Sequence, residues 1–175
     1  MASRMLILVT LIIAILALVG IALSCNSSQS YEALDFTLPT MTGANVTLSE
    51  LEGTPVVINF WSISCSWCRK QLPYLENVAQ QSGEEIRVIA INMVDNAASV
   101  QNFFGDYEPT MIVALDENGE VFVNYCQNYS NPRGYIPFTL FVDSTGVVLD
   151  VRIGAFTSEE ELWNTLNDVF GTIIP

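Results

Sequence analysis

The sequence has no histidine, and only six of its 175 residues are basic against 19 acidic ones. Without histidine, the commonest general base and the commonest metal ligand are both missing. With a formal charge of −13 there is no basic stripe to displace counterions from phosphates, which argues against a nucleic-acid partner. Internal repeats and low-complexity runs are also absent. What the chain does have is apolar residues, 50% of the total. A body of roughly 145 residues can bury close to 70% of its unfolded surface, so a single domain with an ordinary core is expected.

Much of the positive mean hydropathy comes from residues 5–23, an uncharged run of mostly Leu, Ile, Val and Ala behind Arg4. As a helix this run would extend about 28 Å, close to the hydrocarbon thickness of a bilayer and longer than the usual apolar part of a signal peptide. By the positive-inside rule Arg4 leaves the remainder of the chain outside the cytoplasmic membrane. Ala22-Leu23-Ser24-Cys25 follows, then the polar stretch Asn26, Ser27, Ser28, Gln29 and Ser30. This resembles a bacterial lipoprotein signal, apart from Ala22 where leucine is usual. Residues 1–24 are therefore either a signal peptide removed before a lipid attached at Cys25 or a retained membrane anchor. Residues 25–34 are expected to form a tether and 35–175 the folded domain.

Within that domain, residues 35–38 and 45–48 alternate about Pro39 and Gly43 in the pattern of a hairpin. Residues 55–61 are continuously apolar and short enough to be a strand buried on both faces, the expected centre of a sheet. Residues 66–81 follow a helical period, with Leu72, Leu75 and Val78 on one side, a kink or restart at Pro73 and a stop at Gly83. A buried strand at 85–92, a helix at 97–107 with Val100, Phe103 and Phe104 as its apolar face, and a strand at 110–115 come next. Strand, helix, strand implies a right-handed crossover and parallel pairing. Residues 120–126 fit either helix or strand. Strands at 138–142 and 147–153 are joined by the tight turn Asp143-Ser144-Thr145-Gly146. Ser158, with Glu161 three residues on, caps a last helix to Phe170. The sum is an α/β fold, a mixed central sheet flanked by helices, with an N-terminal β-hairpin extension.

Cys65-Ser66-Trp67-Cys68 falls where the central strand gives way to a helix. Two cysteines three apart in a first turn face the same side, near enough for a disulfide. Free N–H groups and the positive helix end stabilise a thiolate there, so Cys65 is expected to be a nucleophile of lowered pKa and Cys68 the resolving thiol. A zinc site lacks ligands, because the only other thiol in the body is Cys126; no metal is expected. A purely structural bridge across two residues would stabilise little. Cys126 reads as a buried, inert thiol. Trp61 and Trp67 flank the loop and are expected to form an apolar rim for a partner.

Beside that pair stand Phe36-Thr37-Leu38-Pro39, Leu48-Ser49-Glu50-Leu51-Glu52-Gly53, Val57-Ile58-Asn59-Phe60-Trp61, Arg69-Lys70-Gln71-Leu72-Pro73 and Ile136-Pro137-Phe138-Thr139-Leu140-Phe141-Val142-Asp143. Residues 35–170 resemble the thioredoxin-like, membrane-tethered thiol-disulfide oxidoreductases of the TlpA and ResA type, in the redoxin family. The resemblance implies a thioredoxin-like fold, a redox-active disulfide of Cys65 and Cys68, and Pro137 as the proline held in the cis form opposite it. There the backbone of Ile136 would pair, strand-like, with a substrate segment. It further implies a protein-disulfide reductase outside the cytoplasmic membrane, acting on a protein disulfide such as the Cys-X-X-Cys-His segment of an apocytochrome c in cytochrome c maturation. A membrane electron donor would re-reduce it. The thiols carry the electrons, so no cofactor is implied.

Two positions depart from the family pattern. Asn59 stands where thioredoxins proper carry Asp, and Gln71 where the ResA type carries Glu. Neither amide accepts a proton at neutral pH, which leaves water, Cys126 or another carboxylate to take the proton of Cys68. Two other functions compete. A redoxin-type peroxidase would need Pro-X-X-X-Thr/Ser-X-X-Cys, with proline where Ile58 stands. A metal-binding or copper-delivery protein would lack histidine ligands.

Overall fold

The computed structural model describes residues 31–171. The signal, anchor and lipid-site expectations for residues 1–30, Cys25 included, lie outside them. Among the described residues no helix is long and apolar enough to cross a membrane.

The centre of the molecule is β4 (Val56–Trp61), and every one of its residues is buried. It pairs in parallel with β5 (Arg87–Met93) on one side and antiparallel with β7 (Phe138–Val142) on the other. Beyond β5 lies β6 (Ile112–Asp116), again parallel; beyond β7 lies β8 (Val147–Ile153), antiparallel. A two-residue strand, β1 (Tyr31–Glu32), pairs with β8 and completes the order β1-β8-β7-β4-β5-β6. Tyr31 and Glu32 thus pair with the sheet inside the stretch 25–34 expected to be a tether. Two residues carry too little alternation to signal a strand, and their pairing with Val147 and Val148 is set across the whole chain. The predicted hairpin is present as β2 (Thr37–Pro39) against β3 (Asn45–Thr47).

Alternation along β4 divides the core. Val57 and Trp61 face α1 (Ser66–Ser82), α2 (Ala97–Phe104) and α4 (Glu159–Phe170), meeting Leu72, Leu75, Val100, Leu162 and Leu166. Val56, Ile58 and Phe60 face the hairpin and α3 (Glu120–Asn128), meeting Leu38, Val46, Phe122 and Tyr125. The ambiguous segment at 120–126 is thus a helix, and helix α1 runs through Pro73 without interruption. Ser158 Oγ accepts the N–H of Glu161 as the cap of α4. This layered mixed sheet is a thioredoxin-like fold.

Candidate active site

At the C-terminal end of β4 the chain turns through residues 62–65 into α1. Cys65 is its N-cap residue, and Cys65 and Cys68 are joined by a disulfide, with Cα atoms 5.3 Å apart. The Cys68 N–H donates to Cys65 Sγ at 3.1 Å. That donor and the helix N-terminus favour negative charge on the sulfur once the bond is reduced. The two sulfurs differ in access: Cys68 is fully buried against Leu72 and Trp61, while Cys65 is partly exposed. An external disulfide can reach only the outer one.

The loop before Cys65 is held by side chains that sequence reasoning did not single out. Asp95 Oδ2 accepts the Ile63 N–H at 2.8 Å and an Asn92 Nδ2 proton at 3.1 Å. Asp95 follows Val94, whose φ of 65° places a β-branched residue in the left-handed region. Such a conformation costs of order 1–3 kcal/mol and persists only where the surroundings enforce it. Here the Val94 N–H is tied to the Asp116 carbonyl at 3.1 Å, aiming Asp95 at the loop.

Opposite Cys65, the Ile136–Pro137 bond is cis. Pairing of Phe138 with Phe60 brings this loop against the end of β4, and the Ile136 carbonyl oxygen lies 3.9 Å from Cys65 Sγ. Buried Asn131 fixes the approach: its Nδ2 donates to the Tyr135 carbonyl at 2.8 Å and its Oδ1 accepts the Tyr135 N–H at 3.0 Å. In the sequence Asn131-Pro132-Arg133-Gly134 is loop chemistry, which marks a turn and not a clamp.

The structure thus brings Cys65, Cys68, Ile136, Pro137 and Trp67 to one end of the sheet, with Trp67 57% exposed. Trp61 is a correction. It has no exposed surface and packs on Phe103 and Phe104 with ring centres 5.3 and 5.9 Å away, so it supports the loop from beneath and offers no rim. Its position as the last residue of a strand buried on both faces dictates this. Gln71 is fully buried and its Oε1 accepts the Phe156 N–H at 3.1 Å, while Asn59 Nδ2 donates to Thr139 Oγ1 at 2.8 Å. Cys126 is a free, buried thiol in the core on the opposite face of the sheet from Cys68. Burial pushes its pKa up to about 11, partly offset by the Asn131 hydrogen bond. It is therefore removed from the candidates to accept the proton of Cys68. Ile58, where a peroxidase motif would need proline, sits inside the β4 ladder. Among the described residues no group of three or more Cys, Asp or Glu is placed to hold a metal.

A disulfide at a helix start, one sulfur partly exposed and one buried, beside a cis-proline loop on this fold, defines a thioredoxin-like thiol-disulfide oxidoreductase. Residues 29–168 match the family model described as Redoxin, and the chain belongs to that family. It is 29% identical over 135 residues to the thioredoxin-like protein YneN of Bacillus subtilis strain 168, covering 75% of each chain. It is 28% identical over 131 residues to the thiol-disulfide oxidoreductase ResA of the same organism, covering 74% of this chain and 70% of that one. Among solved structures, a Chlorobium tepidum protein assigned as the thiol:disulfide interchange protein DsbE superposes with a TM-score of 0.70 at 26% identity, over 81% of this chain and 97% of that one.

Proposed function

We propose that the chain works as a protein-disulfide reductase outside the cytoplasmic membrane, held there by lipid on Cys25 or by its N-terminal helix. The observation that carries the reading is the unequal access of the two sulfurs beside the Ile136 carbonyl. The reduced Cys65 thiolate attacks one sulfur of a substrate disulfide. That bond breaks, the departing thiolate takes a proton from solvent, and a mixed disulfide forms. The Ile136 backbone and the Trp67 ring contact the substrate chain during this step, with Pro137 shaping the loop. Cys68 then loses its proton and attacks Cys65 Sγ, releasing the second substrate thiol. Two electrons have passed to the substrate and the Cys65–Cys68 bond has re-formed. A membrane electron donor restores the dithiol. By resemblance to ResA-type proteins, the substrate is the Cys-X-X-Cys-His segment of an apocytochrome c.

The test is the equilibrium potential of the Cys65–Cys68 pair, run beside insulin reduction with dithiothreitol. The expected result is a potential near or below that of thioredoxin, ~−270 mV, with insulin reduced. A potential near that of strong oxidants, ~−120 mV, would reverse the direction of the reaction.

A further inference from the structure

We propose that the redox face selects a polypeptide segment bearing acidic residues around its disulfide, drawn in by a collar of three cations, Arg69, Lys70 and Arg133. This rests on the exchange reading above and names the substrate class of the same site. The described residues hold five basic side chains against all 19 acids, a net charge of 5 − 19 = −14. Two of the five are in ion pairs, Arg87 with Glu84 at 3.2 Å and Arg152 with Glu161 at 2.6 Å. The other three are exposed and, among the described residues, make no ion pair.

Two of these three are fixed by aromatic rings at the rim. Lys70 Nζ stands 4.2 Å from the centre of the Trp67 ring, between the two cysteines in sequence. Arg133 donates from Nη1 to the Tyr135 hydroxyl at 3.3 Å, and Tyr135 adjoins Ile136. Trp67 and Tyr135 are each about half exposed, at 57% and 53%. A cation held on an exposed aromatic therefore stands on the helix side of Cys65 and another on the proline-loop side, and among the described residues neither is in an ion pair. Arg69, next to Cys68, lines a groove with Leu72, Pro73, Phe103 and Phe104. Glu76 borders that groove, but its oxygens are taken up by the N–H groups of Thr110 and Met111. Asp95, on the loop that follows β5, is turned onto the Ile63 N–H.

Elsewhere the sign reverses. Glu32, Asp35, Glu52 and Asp143 line one cleft at the far end of the sheet, where β4 begins and β7 ends. With a Debye length of ~8 Å at physiological salt, that acidic pole is screened from the disulfide and the collar governs local encounter. A basic target would be drawn to the wrong end. An acidic one, laid along the Ile136 backbone, meets a cation on either side.

Three synthetic peptides test this, each with one intramolecular disulfide in the same apolar frame and flanked by Glu, Gln or Lys. The reduced full chain is mixed with each and thiol release is followed. The Glu peptide is expected to react ~10-fold faster than the Lys peptide at ~0.15 M salt, where the Debye length is ~8 Å and the distant acids are screened, with the ratio falling towards one near ~1 M, where it is ~3 Å. The ratio is read within each protein, so a general loss of reactivity cancels. Combined Arg69→Gln, Lys70→Gln and Arg133→Gln should abolish it, Arg69→Lys with Arg133→Lys should keep it, and Arg87→Gln at the far end should leave it unmoved. Equal Glu and Lys rates, or a ratio that survives the triple Gln variant, overturn the proposal. If no peptide is reduced, the Gln one included, the exchange reading itself falls. Phosphatidylglycerol vesicles supply the last arm: binding that the triple variant loses while its peptide ratio stands would assign the collar to lipid and overturn the proposal.

Discussion

Gln71 sits three residues after Cys68 on the buried side of α1, and an amide there neither takes up a proton nor repels a thiolate. A carboxylate in its place would set a second negative charge beside the Cys68 thiolate, in surroundings that screen it poorly. Gln71→Glu is expected to raise the Cys68 pKa and slow the resolving step at neutral pH. Thiolate absorbance of the reduced protein against pH checks it, and an unchanged Cys68 titration would place residue 71 out of electrostatic reach. Cys126 makes the opposite case. With the sheet between it and Cys68, Cys126→Ser should leave insulin reduction unchanged, and a folded variant that loses activity would refute this. Both residues were legible in the sequence, Gln71 because it follows Cys68 and Cys126 because it is the odd thiol of the body. Asp95 and Asn131 were not, because each acts through side-chain bonds to backbone groups, Ile63 and Tyr135, whose proximity the folded chain creates.

Among the elements, α1 depends most on one buried acid. Glu76 accepts the N–H groups of Thr110 at 2.8 Å and Met111 at 3.0 Å, the Tyr107 hydroxyl at 2.9 Å and Gln80 Nε2 at 2.8 Å. It ties the helix that carries Cys68 to the segment entering β6. Burial works to raise its pKa, but the Thr110 and Met111 bonds, with those of Tyr107 and Gln80, outweigh burial and hold it below the ordinary carboxylate range. A carboxyl lowered on folding contributes stability above its unfolded pKa and loses that contribution as pH falls through the folded value. Glu76→Gln, which strands N–H donors, should cost about 2–3 kcal/mol at neutral pH, read by urea unfolding. The gap between wild type and variant should close in acid; a gap that persists there would mean the charge is not its source. Nothing in the sequence marked Glu76, since an acid at that spacing also suits a solvated helix face. Other elements were legible because their signals are local: the Ser158 cap, the turn at Asp143 and Gly146, and the apolar run of β4. Helix α3 was ambiguous because Val121, Phe122, Val123 and Tyr125 satisfy both periods, and only packing of Phe122 and Tyr125 on Phe60 selects the helix.

At the scale of the whole molecule, the absence of histidine isolates the redox chemistry. No side chain of ordinary pKa changes charge between about pH 5 and 8 in a chain without histidine. The fold moves Glu76, Asp143, Glu161, Tyr107, Tyr125, Tyr129 and Cys126 outward from that window. Hydrogen bonds from Thr157 and then Arg152 hold Glu161 down to about 2, and those from Val147 and Thr145 lower Asp143 against the effect of its burial. Burial raises Tyr125, Cys126 and Tyr129, and the hydrogen bond to Glu76 raises Tyr107. Global stability should therefore be flat across neutral pH, because the folded and unfolded chains bind the same number of protons there. Any pH dependence of the reduced protein in this range belongs to its exposed thiol. Alkylation by iodoacetamide from about pH 4 to 9 should rise through a single ionisation, that of Cys65, with a midpoint below that of a free cysteine, ~8.5. Mass spectrometry should place the first label on Cys65, since Cys68 is buried. A second step in the neutral range, or equal labelling of the two sulfurs, would show that another group titrates with the nucleophile and that the division of roles between Cys65 and Cys68 is wrong.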